Sequence, residues 1–153
     1  GWTKHTGGVQ DERRPFSFRT GHEKGTGNMI WIARIAALLV GLFSLVAGAM
    51  TLISPAEMGE SLGIGALSPL GLNALRADVG AFFLASTIAS AVALFGGRPQ
   101  WILGAAVLYG LAAAGRLLGV VVDGAPEGVL QPIVVEITMV VLSLFAARML
   151  ARG

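Results

Sequence analysis

Four apolar runs, each about as long as a bilayer is thick, constrain this chain more than any other feature in it. They cover about Met29–Ile53, Leu75–Phe95, Trp101–Val122 and Val129–Leu150. Each reaches the roughly 20 residues that a helix rising about 1.5 Å per residue needs to cross the hydrocarbon core. Strands do not run this long, and the interiors are full of Ala, Leu and Gly. Composition points the same way. A chain of 153 residues that is 54% hydrophobic and 13% charged has too much surface per volume to hide its apolar side chains from water. The predicted fold is all-α: an integral membrane four-helix bundle over residues 29–153.

The breaks between runs carry turn chemistry. Gly96-Gly97-Arg98-Pro99 separates the second run from the third, and Asp123-Gly124-Ala125-Pro126 the third from the fourth. The longest break, Ser54–Asn73, contains Ser54-Pro55-Ala56-Glu57, a capping-box pattern with Pro at the first helical position. It predicts a short interfacial helix between helices one and two, from Pro55 to about Leu62, stopped near Gly63 or Gly65.

Residues 1–28 form a polar, Gly-rich tail. It holds Lys4, Arg13, Arg14, Arg19 and Lys24 against Asp11, Glu12 and Glu23, which is the whole net charge of +2. The basic pI is therefore a property of the tail, and no nucleic-acid surface is expected. Met29 reads as a native start, which makes the tail either non-native or an upstream extension; it has no apolar stretch of its own and is not a signal peptide. Trp2, Phe16 and Phe18 among its arginines could meet a partner or anionic lipid. Around the spans, Lys24, Arg34, Arg98, Arg148 and Arg152 fall on one side. Glu57, Glu60, Asp123 and Glu127 fall on the other, with only Arg76 against the trend. Both termini are expected to be cytoplasmic, in a bacterial inner membrane.

Between helices in lipid, small residues permit close backbone approach. Helix two offers Ala77, Ala81, Ala85, Ala89 and Ala93. Helix three offers Ala106, Gly110 and Ala114, with Gly115 and Gly119 beside them, and helix one Ala33, Ala37 and Gly41. Ionisable groups inside a span cost about 2.5–3.5 kcal/mol each on insertion scales, so each needs a partner or a purpose. Arg34 lies one turn inside helix one and can snorkel to the headgroups. Arg116 and Glu136 sit at similar depth on antiparallel neighbours and are expected to pair. Asn73, Arg76, Asp78 and Asp123 are expected to join them in one polar cluster in the outer third of the bundle. In the inner half only Ser44, Ser86, Ser90 and Ser143 are polar, and such serines usually bond their own helix backbone.

The segment Asn73-Ala74-Leu75-Arg76-Ala77-Asp78-Val79-Gly80, followed by Gly115-Arg116-Leu117-Leu118-Gly119 and Asp123-Gly124, resembles the bacterial domain-of-unknown-function family numbered 4345. Its members are small four-helix membrane proteins with Asn-x-x-Arg-Ala opening helix two and Gly-Arg-x-x-Gly ending helix three. The resemblance covers about Met29 to Arg152 and implies the fold, but no activity.

Catalysis is not expected. His5 and His22 lie in the tail, cysteine is absent, and no cluster has metal-ligand spacing, so neither metal nor cofactor is implied. The favoured expectation is a non-catalytic accessory or structural subunit that packs against a larger membrane complex or against copies of itself. The rival is a binder or carrier of a small molecule or lipid headgroup, using the polar cluster. A closed ion-pair network with a lipid-facing alanine stripe would favour the subunit; a pocket beside Arg76 and Arg116 would favour the binder.

Overall fold

The computed structural model describes residues 22–65 and 68–152. The expectations for the tail before His22 therefore lie outside the described residues. Within them the chain forms α1 (His22–Ile53), α2 (Pro55–Ser61), α3 (Pro69–Phe95), a 3-10 turn (Pro99–Trp101), α4 (Ile102–Asp123) and α5 (Leu130–Leu150). Four of the helices are long and apolar enough to cross a membrane. The helix α1 packs against α3 and α5, and α4 packs against the same two. The four long helices thus form a square, with α1 and α4 on one diagonal. One end of the square holds α2 and the α4–α5 turn; the other holds the α3–α4 turn and the C-terminal end of α5.

Local chemistry explains the boundaries. The short helix starts on Pro55, but Ser54 caps nothing with its side chain, so the expected capping box does not form. Backbone continuity does the work instead: Ser54 N–H donates to Met50 and Ser54 C=O accepts from Met58. At its far end Gly63, at φ 75°, lets Gly63 N–H reach Glu60 C=O and Ile64 N–H reach Gly59 C=O. This is the paired closure that a left-handed residue after a helix permits. The helix α3 begins at Pro69, six residues ahead of its apolar run. Ser68 there accepts from Gly71 N–H at 3.1 Å, with Pro69 at the first helical position.

Side-chain size sorts inside from outside. Ala33, Ala36, Ala37, Ala105 and Ala146 are buried, while Leu111, Leu118, Val121 and Leu144 face outward. Lipid is as apolar as leucine, so large aliphatics gain nothing by going inside, and close helix approach decides the interior. The tightest approach is between α1 and α3. A Cβ on Gly41 would lie 2.9 Å from Ser90 Cβ, one on Gly48 3.3 Å from Phe83 Cβ, and one on Gly80 3.3 Å from Leu52 Cδ2.

The expected packing stripe on α3 divides in two. Ala89 and Ala93 are buried, but Ala77, Ala81 and Ala85 are exposed, because Gly80 and Leu84 supply the contact with α1 instead. Gly110 faces Val140 of α5, whereas Gly115 and Gly119 meet nothing within 4 Å and pack no helix. Interior hydroxyls behave as expected with one exception. Ser44, Ser86 and Ser90 donate to the carbonyl four residues back, but the buried Ser143 Oγ has no partner.

Candidate functional site

The site begins at the α4–α5 hairpin. Gly124 and Gly128, at φ 90° and 81°, close the turn and make the two helices antiparallel neighbours. Arg116 lies seven residues before the end of α4 and Glu136 six after the start of α5, so both sit about 10 Å below that end. Their side chains meet: Arg116 Nε donates to Glu136 Oε1 at 2.6 Å. The bond is charge-assisted and removes the worst cost of placing either charge in a span.

The pair is not closed on itself. Glu136 Oε2 is buried with no hydrogen-bond partner. Among the described residues no acceptor meets the outer nitrogens of Arg116, whose side chain is 30% exposed against 10% for Glu136. The guanidinium therefore presents unused donors on a face that the bundle leaves open.

The register of α3 against α4 shows where that face is. Toward the α3–α4 turn the helices touch: a Cβ on Gly104 would lie 3.6 Å from Ala89 Cβ, and Phe82 stands edge-on to Tyr109 with ring centroids 5.2 Å apart. Eleven residues are almost a whole number of helical turns. Stepping eleven back from Ala89 and eleven on from Gly104 therefore keeps to the same facing stripes, and arrives at Asp78 and Gly115. Both are exposed, and open space surrounds Gly115 and Gly119. On this register the α2 end of the α3–α4 seam is where Gly115 and Gly119 meet no neighbour within 4 Å, an open crevice bordered by Asp78 on α3 and by Leu111, Gly115 and Leu118 on α4. Arg116 stands on one wall and Asp78 on the other, and no ion pair joins them. Asp78 also lines a shallow depression of about 300 Å³ with Ile64, Gly71, Ala74, Leu75 and Val79. No residue of α4 lines it.

The rest of the expected cluster is dispersed. Arg76 turns to the opposite flank of α3 and donates from Nε to Leu52 C=O at 3.1 Å. It thereby supplies a donor and a positive charge to the C-terminal carbonyls of α1. Asn73 and Asp123 are exposed near the α2 end. The structure thus joins Arg116 to Glu136, sets Asp78 across a gap from them, and leaves Arg76, Asn73 and Asp123 outside the group. Sequence reasoning missed the strut beneath the site: Tyr109 and Ser44 hydroxyls lie 2.8 Å apart across the α1–α4 diagonal. A lone tyrosine in an apolar run was the available signal, because a buried phenol needs a partner.

Four apolar helices in a square, with an ion pair joining α4 to α5, define a multi-pass helical membrane protein. Comparison with known families makes this specific. The chain belongs to the family described as Domain of unknown function (DUF4345), whose model matches residues 32–147. That match takes in all three sequence segments on which the resemblance rested. No curated protein matches the chain, and no solved structure does.

Proposed function

We propose that this is a non-catalytic membrane protein that binds a lipid or lipid-like amphiphile in the α3–α4 crevice, from the outer leaflet of a bacterial cytoplasmic membrane. One observation carries the reading: the Arg116–Glu136 pair is only half satisfied, and the partly exposed Arg116 stands beside the open space at Gly115 and Gly119. A closed network would need nothing further. This one offers donors to an anionic headgroup, beside space that an acyl chain fills. The orientation rests on the arginines and acidic residues at the two ends.

The test is native mass spectrometry of protein extracted in mild detergent. The expected spectrum shows a retained lipid-sized mass on the wild type that is lost in the Arg116→Leu/Glu136→Leu double variant. Removing both charges together keeps the variant folded. A wild type free of any bound amphiphile would sink the proposal.

A second reading keeps one observation of its own. The exposed faces of Ala77, Ala81 and Ala85 would let a helix of another subunit, or of a second copy, approach closely. Co-migration with larger subunits at fixed stoichiometry in the same experiment would support it.

A further inference from the structure

The two walls of the crevice restrict the headgroup it takes, given the lipid-binding reading above. Arg116 contributes a guanidinium whose outer nitrogens lack acceptors among the described residues. Asp78 contributes an exposed carboxylate from the facing stripe of α3, with no ion-pair partner among those residues. No direct ion pair joins the two side chains. Their depth suits a headgroup. The helix α3 has 27 residues, about 40 Å, roughly 10 Å more than the hydrocarbon core. With Phe95 at one boundary of that core, the other falls near Leu75, about one helical turn above Asp78 and within reach of a headgroup. Arg116, about one helical step from the residue opposite Asp78, lies at the same level.

An anionic headgroup alone would satisfy Arg116 but would be repelled by Asp78 and by the buried Glu136 behind it. A cationic amphiphile would face the reverse problem at Arg116. We infer that the crevice binds a zwitterionic phospholipid, with its phosphate on Arg116 and its ammonium on Asp78. The opposed charges of one headgroup bridge a gap that the two side chains do not close themselves. One acyl chain lies along the exposed Ala81 and Ala85, deeper in the span than Asp78.

The experiment offers the protein in nanodiscs equimolar phosphatidylethanolamine and phosphatidylglycerol, and reads by native mass spectrometry which lipid is retained. Phosphatidylethanolamine is expected to be enriched roughly threefold to fivefold, the scale of one partly exposed ion pair. Asp78→Asn is expected to abolish the enrichment without unfolding the protein, because Asp78 is exposed and supports no packing. Equal retention, or preference for phosphatidylglycerol, overturns the zwitterion but leaves lipid binding standing. Retention of neither lipid overturns both. Soluble phosphoethanolamine is expected not to displace the lipid at millimolar concentration; displacement would make the ligand a free zwitterion and overturn the lipid assignment.

Discussion

A phenol in a dry interior must find a partner, and Tyr109, 1% exposed, finds Ser44 on the diagonally opposite helix. Ser44 donates its own proton to Val40 C=O at 2.7 Å, so the proton between the two hydroxyls comes from Tyr109. The direction makes the two deletions unequal. Tyr109→Phe leaves Ser44 with its donor satisfied and is expected to cost about 0.5–1.5 kcal/mol. Ser44→Ala strands the tyrosine proton in an apolar interior and is expected to cost more, about 1–3 kcal/mol. Steric trapping or reversible unfolding in mixed micelles would rank them, and the reverse order would contradict the assigned direction. The ion pair follows a related logic. Glu136→Ala leaves Arg116 uncompensated in the span, with an expected loss of about 3–5 kcal/mol. In the Arg116→Leu/Glu136→Leu double variant the loss is expected to shrink below that of either single change. A double variant as unstable as the sum of the two would mean the residues act independently.

Glycine content misleads at the element scale unless its neighbours are known. The segment Gly115-Arg116-Leu117-Leu118-Gly119 reads as a packing motif, yet its glycines border the crevice, while Gly41 holds the closest helix contact. Gly41→Ala forces a Cβ to within 2.9 Å of Ser90 Cβ, and overpacking of this kind costs about 1–3 kcal/mol. Gly115→Ala meets open space and removes a weak helix former, so it is expected to be neutral or to stabilise by up to about 1 kcal/mol. Thermal unfolding of the two variants in one detergent compares them directly. What sequence alone could supply divides along the same line. Periodicity and length set the four spans, and depth along an antiparallel hairpin sufficed to pair Arg116 with Glu136. Rotation of one helix about its axis relative to the next was not legible. It decides that Gly80 rather than Ala77 and Ala81 meets α1, that Arg76 serves Leu52, and that Asp78 stands on the stripe of α3 that carries Ala89. Ser68-Pro69 carried the same start signal as Ser54-Pro55, and the pattern forms a cap only at the second, where the preceding chain leaves the helical path.

For the whole molecule, the square arrangement makes the position of each charge a statement about sidedness. Arg98, Arg148 and Arg152 lie at one end; Glu57, Glu60, Asp123 and Glu127 lie at the other. Arg76, a basic residue on the acidic side, is tied to a backbone carbonyl of α1, which gives it a local reason for its place. Because the chain has no cysteine, every introduced thiol is the sole reporter. Glu60→Cys and Glu127→Cys are exposed positions at the α2 end, and are expected to react with a membrane-impermeant maleimide added to intact cells. Arg98→Cys and Arg152→Cys, at the other end, are expected to react only after permeabilisation. The reverse pattern would turn the crevice toward the cytoplasmic leaflet, and its lipid would then have to come from there. Equal labelling of all four in intact cells would contradict four spans with their ends on opposite sides. The labelling pattern therefore fixes the leaflet from which the pair of Arg116 and Asp78 must draw its ligand.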